Sequence, residues 1–292
     1  MTYEKKKIEI QNNFGVLNGS KDYFNKRLIL ENFIGNTTYC LEALDALQKE
    51  DYVEKTIAKV KDHQLSLFIE SGYLLEAKVP RYFNGSDAYF VCKYRTQERY
   101  TSSRWIEEDS MLQDAKNIEI RATKLLPIDF KVRRVVEQDV DKLASLYKQV
   151  FEIYPVPITN PNYIKELLSN GTIFYCLEVE GEIVAAASAD VNEVYHHAEI
   201  TDCATLQAYR KYGVMKVIIN HLEEELIRKQ IFCSFSIARS LSFGMNAVLH
   251  QLQYSYTGRL KNNCYIFDKI EDMNVWVKDL SNANFSALIA KG

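Results

Sequence analysis

The stretch AEITDCATLQAYRKYGVM spans Ala198–Met215. It opens with the alternation of a strand, passes through a basic turn containing glycine, and then changes period. From about Val214 to Lys229 the apolar residues Met215, Ile218, Ile219, Leu222 and Leu226 recur at helical spacing. A helix N-terminus presents unpaired N–H groups and a partial positive charge, so it favours anions. Gly213 lets the backbone approach a phosphate closely, and Arg210 and Lys211 stand beside it. A solvated surface turn would show the same short pattern, so the surrounding order of elements has to decide between the two readings.

Upstream, FKVRRVV (130–136) reads as a strand and EQDVDKLASLYKQVFEIY as a helix, followed by the proline-rich loop YPVPITNP. A short helix stops at Asn170-Gly171. TIFYCLEV and EIVAAASAD form a hairpin about Glu180-Gly181. Downstream come a strand at 231–238, a helix around 245–252, and strands around 256–260 and 274–277. The reading is α/β of the α+β type, with one β-α-β unit inside a mostly antiparallel sheet.

The first hundred residues form a smaller α/β region. IEIQNNFG and KRLILENFI read as strands, and Asn36 caps the helix TTYCLEALDALQKE. VEKTIAKV, the helix HQLSLFIES, and the strands LLEAKV and DAYFVCKY follow. The expected organisation is an N-terminal domain at 1–100, a connector at 101–129 with a helix near Ser103–Leu112, a main domain at 130–280 and a tail at 281–292.

A chain of 292 residues with 26% charged residues and a net charge of −3 is globular and lacks the strongly basic balance of a nucleic-acid binder. The six cysteines form no CxxC pair, which excludes a zinc ribbon and fits free thiols in a reducing cell. No third ligand is suitably spaced from His196 and His197, so no metal is expected. With neither an apolar signal core nor a membrane-length apolar run, a soluble cytoplasmic protein is expected, without nucleic-acid or membrane partners.

Arg210-x-x-Gly213-x-Met215 after a strand resembles the acetyl-CoA motif of the GNAT acetyltransferases, with Met215 where glycine or alanine is usual. The resemblance covers residues 130–280. YPVPITNPNYI, ITDCATLQAYRKYG, SIARSLSFGMN and NVWVKDL are more specifically similar to the β-lysine N6-acetyltransferases, which make the compatible solute N6-acetyl-β-lysine.

The resemblance implies a GNAT fold, acetyl-CoA as co-substrate and a small amine, β-lysine, as acceptor; it permits a homodimer. Glu199 falls at the place of the general base. Cys203, Ala204, Thr205, Arg210, Lys211, Tyr212, Gly213, Val214, Met215, Ser242 and Asn246 fall on the CoA side. Asp202, Arg239 and Tyr154 are the acceptor-side candidates. Asp202 is an ammonium contact provided a bulge turns it to the face of Glu199, and Arg239 a fork for a carboxylate. Backbone N–H groups around Cys203–Leu206 are the expected oxyanion donors, and Cys203 is not expected to be a nucleophile. The usual tyrosine acid is missing, since Leu249 stands at its place, and His250 is expected only to pack.

Alternative readings are acetylation of another small amine, a polyamine or a protein amine, and a non-catalytic acetyl-CoA-binding module. The N-terminal region echoes the second half of the main fold but reads GNTT where the basic loop would be, so it resembles a degenerate half-GNAT that binds no CoA and shapes the acceptor side.

Overall fold

Strands dominate wherever β-branched and aromatic residues alternate with polar ones. The computed structural model describes residues 5–49, 53–121, 125–266 and 269–282. Strands β1 (Lys5–Asn12), β2 (Gly15–Asp22) and β3 (Arg27–Gly35) form an antiparallel meander. Helix α1 (Thr37–Gln48) crosses to β4 (Lys55–Val60), which lies parallel to β3. Helix α2 (Asp62–Glu70) leads to the hairpin of β5 (Leu74–Phe83) and β6 (Ser86–Tyr94). Two helices, α3 (Gln97–Tyr100) and α4 (Trp105–Lys116), connect the halves.

The second half opens with β7 (Lys131–Arg134), α5 (Val140–Val150) and α6 (Pro161–Ser169). Pro161 sits in the first turn of α6, and Asn160 caps it by accepting from the Asn162 amide at 3.0 Å. Then come β8 (Ile173–Val179), β9 (Glu182–Asn192) and β10 (His197–Thr205). Helix α7 (Val214–Arg228) crosses to β11 (Cys233–Arg239), parallel to β10. Helix α8 (Phe243–Gln251) leads to the final hairpin, β12 (Ser255–Ile266) and β13 (Lys269–Asp279). This is the GNAT order of elements.

Among the described residues all thirteen strands share one sheet, ordered β1-β2-β3-β4-β6-β5-β12-β13-β11-β10-β9-β8-β7. The first six strands repeat the arrangement β8-β9-β10-β11-β13-β12 of the second half, and β5 meets β12 at the seam. Within these described elements, the N-terminal half has no counterpart of β7, α5 and α6. Its first hairpin partner, β2, escapes the sequence reading because GVLNGSKD carries the glycine, asparagine and serine of a loop. It nevertheless pairs along β3 from Gly15↔Gly35 to Asp22↔Arg27.

The last hairpin is also longer than its apolar runs suggest. Asn262, Asn263 and Asp272 interrupt the alternation, yet all three are buried. The Asn262 amide donates to Asp272 at 2.7 Å, and the Asn262 side chain donates to the carbonyls of Arg99 and Thr101. These bonds satisfy Asn262 and one oxygen of Asp272 inside the fold, and so let the strand run on where periodicity alone would end it.

One apolar core, including Leu177, Ile200, Ile218, Leu222 and Trp276, lies under α7 and α8. Leu112 of α4 joins it, and His250 Nε2 lies 3.1 Å from the Ile118 carbonyl, so this part of the connector packs on the second half. A second core joins the halves, with Val79, Tyr82 and Phe90 against Phe235, Leu260 and Val275. Lys55 is fully buried across the seam and donates to Glu76 at 2.9 Å and to the Lys261 carbonyl at 2.7 Å. Among the described residues no helix is long and apolar enough to cross a membrane. Of the expected tail, residues 283–292 lie outside the described ones.

Candidate active site

Strands β10 and β11 pair only over His197–Glu199 against Cys233–Phe235 and then diverge. The wedge between them opens beside Glu199, and the Ser236 hydroxyl bridges it by donating to the Ile200 carbonyl at 2.8 Å. The wedge leads into a cleft of about 470 Å3. Residues of β3 and β4 line this cleft together with residues of β10 and β11, although those strands stand far apart in the sheet. The sheet must therefore curl, so that one face of the N-terminal half looks across at the face bearing Glu199.

Glu199 is half-buried in that cleft. Burial raises its carboxyl to about 7; Lys59 pulls it down, while Asp190, Glu31 and Asp202 push it up. Three residues further on, the β10–β9 ladder skips a position between Thr201 and Ala204. This bulge holds Asp202 at a φ of 50° and turns it into the same cleft as Glu199. Asp202 accepts from the Ser188 hydroxyl at 2.7 Å and from Tyr154. Burial raises it to about 6, against the pull of those two hydrogen bonds. The same burial drives the Tyr154 phenol well above its ordinary range.

Cys203 also faces the cleft, but burial and the Asp202 charge push its thiol up, which makes it a poor nucleophile. Among the described residues all six cysteines are free thiols.

Beyond the bulge, Ala204 is buried and Thr205 closes β10. Gln207–Tyr212 form a 3-10 turn in which Arg210 and Lys211 are exposed. Arg210 Nε donates to the Thr205 carbonyl at 3.2 Å, and the Lys211 ammonium lies 5.1 Å from the centre of the Tyr212 ring. Gly213 is left-handed at φ 67°, and a Cβ there would meet only the flexible end of Lys216, at 3.8 Å. Among the described residues, no side chain caps α7 and its first turn holds no acid. The Lys216 amide donates to the Gly213 carbonyl at 3.1 Å, so Val214 and Met215 carry the helix-end amides open to an anion, with both cations nearby. Val214 and Met215 are buried, and the Met215 side chain packs in the core.

Two expectations need correction. Asn246 is fully buried, its amide donating to the carbonyls of Arg239 and Ser242 while its oxygen accepts from Asn274 and Trp276 at 2.9 and 2.8 Å. It ties the start of α8 to β13 and has no face left for a ligand. Arg239 lines the cleft, but its fork is closed on Glu271 by two bonds of 2.7 Å. Holding a substrate carboxylate there would mean breaking a bidentate pair. Ser242 and Met245 do line the cleft, whereas Leu249 is buried in the core.

Sequence reasoning missed the opposite wall. Glu31 of β3 and Lys59 of β4 face the cleft as an ion pair, and Asp190 of β9 lies on the Glu199 side. Their signal was a lone charge interrupting each apolar alternation, LILE and TIAK. His197 is neutral rather than a ligand: it is buried, stacked on Tyr82 at 3.7 Å between ring centres, and lowered by burial to about 4. Among the described residues no cluster of three or more acidic, histidine or cysteine side chains is placed to hold a metal.

Residues 140–240 match the acetyltransferase (GNAT) family. The chain is 34% identical over 259 residues to the N-acetyltransferase YodP of Bacillus subtilis, covering 89% of this chain and 94% of that one. It is 32% identical to the β-lysine N(6)-acetyltransferase of Methanococcus maripaludis, covering 82% of this chain and 87% of the relative. It is also 32% identical to that of Methanosarcina mazei, covering 85% and 99%.

Proposed function

Because the chain belongs to the β-lysine N6-acetyltransferase family of GNAT acetyltransferases, we propose that it transfers an acetyl group to the terminal amine of β-lysine. The observation that carries this is a carboxylate, Glu199, raised to about 7 at the mouth of the β10–β11 wedge. It stands in a cleft lined by further carboxylates.

An alkyl ammonium has an ordinary pKa near ~10.4 and arrives protonated. Glu199 is about half ionised at neutral pH, so it takes that proton directly or through one water. When bound, acetyl-CoA supplies the thioester carbonyl carbon to which the freed nitrogen bonds as the C–S bond breaks and the CoA sulfur leaves and is protonated. The N–H groups of the bulge around Cys203–Leu206 are the donors for the negative charge developing on the acetyl oxygen. The first amides of α7, with Arg210 and Lys211, hold the pyrophosphate. Asp202 and Tyr154 form the acceptor-side wall beside the base.

The test is incubation with acetyl-CoA and β-lysine, α-lysine, polyamines or a peptide amine, detecting free thiol and product mass. Acetylation of β-lysine at N6 with the highest kcat/KM supports the reading. Equal specificity constants for β-lysine and α-lysine remove the substrate assignment.

A further inference from the structure

The N-terminal half lines the cleft through Arg27, Ile29, Glu31, Ile57, Lys59 and Phe90, and the polar centre of this lining is built rather than incidental. Lys59 is the residue directly after the last β3–β4 pairs, which run from Arg27↔Lys55 to Leu30↔Ala58, and Glu31 is its counterpart on β3. The two form an ion pair where those strands part. The Lys59 ammonium also donates to the Tyr82 hydroxyl at 3.0 Å and lies over the Tyr82 and Phe90 rings at 5.3 and 5.4 Å. The Lys59 side chain is 14% exposed and that of Glu31 38%, so both open onto the cleft while being held from behind. Tyr82 stacks in turn on His197, two residues before Glu199, which fixes this wall relative to the base.

Like Lys59, the guanidinium groups on the cleft each hold a carboxylate, and Lys5 of β1 is a further cation on its lining; what sets Lys59 apart is that its partner Glu31 itself faces the cleft. Arg27 is bound by Asp22, and Arg239 by Glu271. An amino acid whose far amine reaches Glu199 carries a carboxylate and an ammonium at its other end, opposite in order to the charges of Lys59 and Glu31. We infer that the Lys59–Glu31 pair is the specificity element for the amino-acid end of the acceptor, Lys59 taking its carboxylate and Glu31 its second ammonium. This rests on the β-lysine reading above.

Two analogues separate the two halves of the claim. 1,4-Diaminopentane is β-lysine without its carboxylate, and 6-aminohexanoate is β-lysine without its 3-amino group. Wild-type enzyme should prefer β-lysine to both. Measured on the alkaline plateau of each enzyme's pH–rate profile, where the shift of the Glu199 carboxyl has no effect, Lys59→Met should lower kcat/KM for β-lysine by about tenfold to a hundredfold, mainly through KM, and leave that for 1,4-diaminopentane nearly unchanged. Glu31→Gln should erase the preference over 6-aminohexanoate in the same way. Lys59→Arg, which keeps the charge and the packing, should retain most of the preference for the carboxylate. If Lys59→Met retains the wild-type preference, or lowers both substrates equally, the inference is wrong; should that variant not fold, Glu31→Gln retaining its preference refutes it equally. If wild-type enzyme itself does not distinguish β-lysine from 1,4-diaminopentane, it is the substrate reading that has failed.

Discussion

His197 Nδ1 lies 2.9 Å from the Tyr82 carbonyl, and the two rings stack with centres 3.7 Å apart. His197 begins the strand that carries Glu199, and Tyr82 lies next to the end of a strand of the N-terminal half. Buried in this contact, the imidazole is lowered by desolvation from 6.5 to about 4 and stays neutral at physiological pH. The unfolded chain then binds the extra proton between those values. The associated stability is complete above about pH 6.5 and is lost as the pH falls towards 4. At about 1.4 kcal/mol per pKa unit, the loss is on the order of 3 kcal/mol. His197→Phe should keep the stack and flatten that part of the curve of unfolding free energy against pH. An equally steep fall in the variant would show that other groups cause it.

Glu199 gives a second pH prediction, in activity. A base works only when ionised, so kcat/KM should rise with pH to a plateau above about 7. Glu199→Gln should lower kcat by roughly a hundredfold to ten-thousandfold. Activity should recover partly at high pH, where free amine becomes common. An unchanged pH–rate profile would remove Glu199 from the base role.

Lys59 is the nearby cation that lowers Glu199. Lys59→Met should therefore move the acidic limb of the profile to higher pH, apart from any change in KM. With Asp190, Glu31 and Asp202 all pushing in the raising direction, nothing else in that set compensates. A limb that stays in place, or moves down, would mean that Lys59 does not feel the base.

Much of this site was legible before the fold. Gly213 and the two cations made the turn legible as an anion-site candidate, because a strand that runs through a basic glycine turn into a helix sets free amides and positive charge side by side. Glu199 was legible only through resemblance, since an exposed strand carboxylate has the same local pattern. The face of Asp202 could not be read, because a bulge reverses alternation and leaves no composition signal. Arg239 was misread for a related reason: its partner Glu271 lies 32 positions away, on a strand whose polar residues looked like loop. Glu31 and Lys59 were passed over because they reach the site only when the sheet curls, and curvature over thirteen strands is not a local property.

The cradle itself can be broken in two ways. Gly213→Ala makes only an ordinary contact with the Lys216 side chain, so its cost is the left-handed backbone, about 1–2 kcal/mol. Acetyl-CoA affinity should change little once the protein is folded. Gly213→Glu adds a negative charge at the proposed pyrophosphate site, and the Kd should weaken by more than about tenfold, a difference of about 1.4 kcal/mol or more. Calorimetric titration of the folded variants checks both. Unchanged affinity in Gly213→Glu would put the cradle elsewhere.

The repeated strand order raises the question of a second CoA site, and the two crossover turns answer it differently. In the C-terminal half the turn between β10 and α7 is open, with no neighbour nearer than 3.8 Å to a Cβ at Gly213. In the N-terminal half the turn between β3 and α1 is filled. A Cβ at Gly35 would stand 2.3 Å from the Phe14 carbonyl oxygen, and the Asn36 amide donates to that same oxygen at 2.9 Å. The Asn36 side chain accepts from the Tyr39 amide at 3.1 Å, so the helix end is already satisfied without an anion. The β1–β2 hairpin thus occupies the approach that a pyrophosphate would need, and no basic pair stands in GNTT. We predict one CoA per chain. Titration of the wild type should give a stoichiometry of one, and Gly213→Glu should weaken that one site and leave no second site at the wild-type affinity. Two sites in the wild type, or one undiminished site left in Gly213→Glu, would place CoA in the N-terminal half as well.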